Sequence, residues 1–196
     1  MDGNGDTALL HAARAKNPES LQILLAAGAQ VNIVNKKGET ALMRAAFVGN
    51  APHVAALLAA GADITPADSD YGHTALVYAA KSSKAEHVAL LLNAGADATA
   101  RAGRHAYMGT VLISAVQCKA SPEVLRLLIA AGADVNAADE YSNTPLHRAA
   151  FWNDSECMKL LLAAPGIDVN KADKDGWTPC LLYTSDAADE GLGVDL

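Results

Sequence analysis

Apolar positions along this chain fall at helical intervals, and the intervals recur. Leu21, Leu24 and Leu25, then Val54, Leu57 and Leu58, then Val88, Leu91 and Leu92 share the i, i+3, i+4 spacing that gives a helix one apolar face. Ahead of each such run stands a smaller apolar segment opened by threonine. It reads TALLHAA from Thr7, TALMRAA from Thr40, TALVYAA from Thr74, TVLISAV from Thr110, TPLHRAA from Thr144, and TP at Thr178. These threonines are 33, 34, 36, 34 and 34 residues apart. A second phrase keeps step: LLAAGAQVN ending at Asn32, LLAAGADIT at Thr65, LLNAGADAT at Thr99, LIAAGADVN at Asn136 and LLAAPGIDVN at Asn170. A fixed period in this range signals units stacked in a solenoid.

Each unit predicts two helices. The threonine hydroxyl can cap the free N–H groups of the first, and Pro145 and Pro179 follow it where a missing N–H costs nothing. The pairs Ala12-Ala13, Ala45-Ala46, Ala79-Ala80 and Ala149-Ala150 let neighbouring first helices approach closely, with Ala115-Val116 the bulkier version. Helix-start signals follow at Asn17-Pro18-Glu19, Asn50-Ala51-Pro52, Ser121-Pro122-Glu123 and Asp154-Ser155-Glu156. Gly28, Gly61, Gly95 and Gly132 close the second helices, where a left-handed cap carries no Cβ penalty. One unit cannot bury its leucines on both sides, so neighbours must stack.

This double phrase resembles the ankyrin repeat, whose pattern runs D-x-x-G-x-T-P-L-H-x-A-A, a short turn, then V-x-x-L-L-x-x-G-A-D-V-N. The resemblance covers residues 2–179, with units near 2–34, 35–67, 68–100, 101–138 and 139–172 and a partial sixth at 173–179. It implies an all-α solenoid of helix-turn-helix units joined by β-hairpin-like fingers. It also implies a function class: binding other proteins, without catalysis.

Composition sharpens this reading. Aromatics make up only 5% of the chain although 51% is hydrophobic, so the core must be Ala, Leu, Val and Ile. The formal charge is −7, but Asp186, Asp189, Glu190 and Asp195 follow Pro179 with no base among them; without these four the balance is −3. That is too even for nucleic acid, which calls for a basic face. No apolar run approaches the roughly 18 residues of a membrane span, and MDGNGDTALL has no basic-then-apolar signal. Three cysteines without paired spacing point to a reducing, intracellular setting, cytoplasmic with the nucleus also compatible. A monomer is expected.

The pattern departs from regularity in three places. The stretch Ala100 to Gly109, ARAGRHAYMG, is longer than its counterparts and lacks the usual Asp, so a longer, less regular third finger is expected. Pro165 precedes Gly166, so the fifth unit's second helix should end early. After Pro179 the repeat breaks off. Cys180–Leu196 resembles translated sequencing-adapter read-through, in CLLYTSDAADE and again in GVDL. The expectation is therefore a non-native, irregular tail and a natural array that continues past Pro179, with the fifth unit frayed for want of a neighbour.

Candidate chemistry is sparse. His11, His53, His73, His87, His105 and His147 include no i, i+4 pair, and no cysteine pair has zinc spacing; no metal or cofactor is expected. His147 lies in TPLH, where the family's histidine is a structural hydrogen-bonding residue. Cys118 has no base placed beside it by sequence, and Cys157 reads as packing. GNG at Gly3 to Gly5 lacks the lysine and preceding strand of a phosphate loop.

The aromatics say more. In the family pattern the variable positions lie on the fingers and first-helix ends, which line the concave face. Tyr71, Tyr107, Tyr141 and Trp177 fall on fingers; Phe47, Phe151 and Trp152 fall at first-helix ends; Tyr78 is more internal. Aromatics and Arg supply most binding hot spots. With the finger residues Lys36, Lys37, His73 and Arg104, these seven rings form the expected partner-binding set, although Phe47 and Phe151 fit packing between neighbours equally well. The leading expectation is a protein-binding array; the alternative is the recognition arm of a larger enzyme or signalling protein.

Overall fold

The computed structural model describes residues 1–101, 103 and 109–181. Five helix pairs follow one another: α1 (Ala8–Ala12) with α2 (Glu19–Ala26), α3 (Ala41–Phe47) with α4 (Ala51–Ala59), α5 (Ala75–Lys81) with α6 (Ala85–Asn93), α7 (Val111–Gln117) with α8 (Pro122–Ala130), and α9 (Pro145–Phe151) with α10 (Ser155–Leu162). First helices pack on first helices in the order α1, α3, α5, α7, α9, and second helices stack alongside as α4, α6, α8, α10. The result is a two-layer, one-dimensional stack.

Helices of five to nine residues are too short to persist alone in water, so their ends and their packing carry them. Thr7, Thr40, Thr74, Thr110 and Thr144 all take extended backbone angles. Each accepts, at its Oγ1, the N–H of the residue three positions on, at 3.2–3.5 Å. Such a cap contributes about 1 kcal/mol. At the far end, Gly28, Gly61, Gly95 and Gly132 sit at φ +80° to +91°. The next N–H in each case turns back to the first leucine of its phrase, as in Ala62 to Leu57 and Ala133 to Leu128, both at 3.0 Å. Pro165 occupies the fifth unit's version of this turn, and α10 accordingly stops at Leu162, right after the leucine pair.

The core is aliphatic. Leu57, Leu91, Leu128 and Leu161 form a fully buried line along the second helices, with Leu21 buried one turn earlier in the first unit; Leu9, Leu42, Leu76, Leu112 and Leu146 face them from the first helices. Each fully buried side chain of this kind contributes about 1.5–3 kcal/mol. Among the described residues, no Phe, Tyr or Trp belongs to this buried set. The alanine pairs are sealed between first helices. Where Gly49 follows α3, an added Cβ would meet the Ala45 carbonyl oxygen at 2.7 Å and that of Ala13 at 3.0 Å; only glycine allows the neighbouring unit so close.

The fingers are tight turns rather than paired strands. Asn35, Asp68, Asp139 and Asp173 each donate their backbone N–H across the turn, to the carbonyls of Glu39, His73, Asn143 and Trp177, at 2.9–3.1 Å. Among the described residues the one β-bridge is antiparallel, Arg101 with Thr110, at the base of the third finger. The rest of that finger, including Arg104, His105 and Tyr107, lies outside the described residues, as does the tail from residue 182.

Candidate partner-binding face

Outside the third finger, an acid or amide at the foot of the finger builds the turn. The Asp2 carboxylate accepts the N–H groups of Asn4 and Asp6 (2.8 and 2.9 Å). Asn35 does the same for Lys37 and Glu39, Asp139 for Tyr141 and Asn143, and Asp173 for Asp175 and Trp177. Asp68 spans a finger one residue longer, taking Tyr71 on one oxygen and His73 on the other. Its turn is therefore wider, and Tyr71 is carried outward.

In four of the five units the residue four places after the threonine reaches back to this foot. His11 pairs with Asp2 at 3.0 Å. Arg44 donates to Glu39 at 3.0 Å from Nε, with Asp6 of the preceding unit 3.6 Å away. The Tyr78 hydroxyl donates to Asp68 at 3.1 Å, and Arg148 donates to the buried Asp139. Half burial, then the Asp68 charge, push the Tyr78 phenol well above its usual range, so it stays a donor. Among the described residues, these bonds lock fingers to their first helices.

Neighbouring fingers are also joined by backbone. Lys36 N–H donates to the Asn4 carbonyl (3.1 Å), Ser69 to Lys37 (2.7 Å) and Lys174 to Tyr141 (3.1 Å). His147 completes the TPLH role: its Nδ1 accepts from the Thr144 N–H at 3.1 Å, which leaves Nε2–H to donate to the Trp177 carbonyl at 3.0 Å. Met43 holds the same place in the second unit, with only a weak sulfur contact to Thr40 N–H.

The expected contact residues sort into three groups. Phe47, Tyr71, Tyr141, Phe151, Trp152 and Trp177 are all exposed, from 44% at Trp177 to 55% at Phe151. Lys37 is exposed and loosely paired with Asp70 at 3.8 Å, while the Lys36 ammonium donates to the Gly3 carbonyl at 2.8 Å. His73 is corrected: it is only 2% exposed. It caps the Asp68 turn, stacks on Tyr71 and meets Tyr78 edge-on, so it supports the surface from beneath. Arg104 and Tyr107 lie outside the described residues.

Two ring clusters result. Phe47 meets Tyr78 edge-on at 5.7 Å, and Tyr78 leads through His73 to Tyr71. Further along, Phe151 meets Trp152 at 5.1 Å, and the Lys119 ammonium lies 5.6 Å from the Trp152 ring. The sequence gives no sign of the Lys119 contact, because its partner is a whole repeat away. The finger-foot acids were legible in principle: Asp2, Asn35, Asp139 and Asp173 each stand five places before a unit threonine.

Elsewhere the polar groups are structural. His87 donates to the Ala46 carbonyl at 3.0 Å and His53 bonds to Asn50; burial is the main cause that lowers both pKa values. Cys157 is buried, and desolvation, helped by Asp154, pushes its thiol up to about 12. Asp2, Asp6 and His11 approach one another closely enough to share an ion, but Asp2 and Asp6 already accept hydrogen bonds from Asn4, Asp6, His11 and Asn35.

A family model for ankyrin repeats (3 copies) matches residues 9–102 and 103–173. The chain belongs to the ankyrin-repeat family. Mouse and rat protein phosphatase 1 regulatory subunit 12A are each 45% identical to it over 58 residues, 30% of this chain and 6% of theirs. The match thus spans a small fraction of those relatives. A solved chain from the complex of a Bdellovibrio bacteriovorus predatory endopeptidase with an immunity protein superposes with a TM-score of 0.83, covering 94% of both chains at 22% identity. That likeness speaks to fold. Ankyrin repeats are protein-interaction modules, typically non-catalytic, and this array carries its exposed rings on the layer formed by fingers and first helices. Among the described residues no helix is long and apolar enough to cross a membrane.

Proposed function

We propose that this ankyrin array binds a partner protein through its finger tips and first-helix ends, as a monomer and without catalysing a reaction, in a reducing intracellular compartment. One observation carries the reading. Six of the seven described aromatic rings are exposed on that layer, and none of the seven belongs to the buried core. At about half of the 150–250 Å² that an aromatic side chain can bury, they offer on the order of 600 Å². A specific interface takes roughly 800 Å² per partner. The layer is braced by turn-foot acids and inter-finger backbone bonds, so little ordering cost would fall on binding.

The test is the double substitution Tyr141→Ala with Trp152→Ala, read against proteins captured by the unaltered chain. Partners should be lost while helical content and melting temperature hold. Retention of every partner, or loss of helical signal, would refute the assignment of these rings to contact. A second reading is supported by the short match to long regulatory subunits: the array serves as the recognition arm of a larger enzyme or signalling protein.

A further inference from the structure

The ends of the first helices carry a charge pattern unlike the rest of the chain. From the fifth to the ninth residue after the threonine, the five units read AARAK, AAFVG, AAKSS, AVQCK and AAFWN. In a chain of net charge −7, these segments hold Arg14, Lys16, Lys81 and Lys119 and no acid. None of the four bases takes part in an ion pair among the described residues. The exposed Phe47, Val48, Phe151 and Trp152 lie in the same segments.

Direct contacts set these segments side by side across every joint. Asn50 donates to the Lys16 carbonyl at 3.2 Å, and Lys84 donates to that of Gly49. Ser121 N–H donates to the Ser83 hydroxyl at 2.6 Å, and Lys119 rests on Trp152. The row therefore runs without a break: basic in the first unit, aromatic in the second, basic in the third and fourth, aromatic in the fifth.

We infer that this row takes an acidic, extended segment of the partner protein, held by two apolar anchors with carboxylates between them. The inference rests on the protein-binding reading above and specifies its chemistry. Packed helices lie about 8–10 Å apart, and an extended chain advances about 3.3 Å per residue, so one unit matches about three residues. Phe47 and Phe151 are three units apart, which places the two anchors roughly nine residues from each other. Lys81 and Lys119 lie between them and meet the carboxylates; Arg14 and Lys16 extend the basic stretch beyond the Phe47 anchor. Opposite charge along the row favours such a segment and speeds its encounter.

The test is selection from a random 16-residue peptide display library on the immobilised chain, on a Lys81→Glu/Lys119→Glu variant and on a Phe47→Ala/Phe151→Ala variant, each first checked for an unchanged melting curve. Peptides selected on the unaltered chain should be enriched in Asp and Glu flanked by apolar residues about nine apart. Their synthetic versions should bind the charge-reversed variant on the order of tenfold or more weakly, and weaken as salt rises. A pool without acid enrichment, an affinity indifferent to charge reversal, or equal binding of single-stranded oligo-dT would overturn the inference. If the aromatic variant loses its peptides and the charge-reversed one keeps them, the partner face stands and the acidic segment falls. If neither substitution matters, both fall.

Discussion

Asn32 and Asn136 fasten adjacent units in the same way. The Asn32 amide donates to the Gly61 carbonyl at 3.2 Å and accepts the Asp63 N–H at 2.9 Å. Asn136 does this to Gly166 and Asp168 at 2.7 and 2.8 Å. The equivalent residue between the second and third units is Thr65, whose hydroxyl instead turns back to Asp63 at 2.8 Å. Among the described residues no bond joins it to Gly95 or Asp97, and a cavity of about 190 Å³ lined by Ile64, Thr65, Gly95, Ala96 and Asp97 opens there. The local backbone already suits an asparagine, since Asp63 accepts the Thr65 N–H at 2.9 Å just as Asp134 accepts that of Asn136 at 2.8 Å. Thr65→Asn should therefore gain two hydrogen bonds of about 0.5–1.5 kcal/mol each. Against these stand one lost hydroxyl bond and a fraction of a kcal/mol to about 1 kcal/mol of side-chain entropy. The net expectation is about 0.5–1 kcal/mol of stabilisation. With a urea slope near 2 kcal/mol/M, the midpoint followed by circular dichroism should rise by roughly 0.3–0.5 M. Asn136→Thr should lower it by a similar amount. A Thr65→Asn midpoint at or below that of the unaltered chain, together with a harmless Asn136→Thr, would refute the view that this amide holds units together.

Two further outcomes follow from the buried groups. Burial holds His53 and His87 below the usual histidine pKa, so the folded chain stays neutral there while the unfolded chain takes up protons as pH falls through about 6.5. Stability should then decline from pH 7 toward 5.5, by at most about 1.4 kcal/mol per pH unit for each histidine. His53→Gln with His87→Gln should flatten urea midpoints across that window, and an unchanged slope would assign the decline elsewhere. For the thiols, Cys118 is exposed and Cys157 buried with its pKa raised to about 12. A maleimide reagent read by mass spectrometry should modify Cys118 within minutes and spare Cys157 until the chain is unfolded; equal rates would contradict the packing of α10.

The scaffold was legible because it is repeated. Threonine caps recur in five units, and alanine pairs and closing glycines in four, each at one place in the period, so the copies vouch for one another. Not legible in the sequence are links whose two ends lie in different units, such as Asn136 with Gly166, Lys119 with Trp152, and His147 with the Trp177 carbonyl. Periodicity identifies equivalent positions, but it does not say which of them touch across a joint. His73 shows the same limit within one finger. It stands immediately before Thr74, as Trp177 stands before Thr178, yet Asp68 and the rings of Tyr71 and Tyr78 draw it under the surface while Trp177 remains exposed.

Function enters through the positions the scaffold leaves unconstrained. In four units the fourth residue after the threonine is spent on the finger foot, whichever of His11, Arg44, Tyr78 or Arg148 occupies it. Three residues further on, in the first, second, third and fifth units, stand Arg14, Phe47, Lys81 and Phe151, none of them bonded to a finger foot among the described residues. Leucines and capping groups at those places would have served stability equally well or better, since exposed rings and unpaired bases contribute little to folding. On the proposed reading, their place along one edge of the stack serves a partner outside it. A substitution there should alter recognition at nearly constant stability, whereas one three residues earlier, such as Arg148→Ala, should loosen the finger and weaken both together.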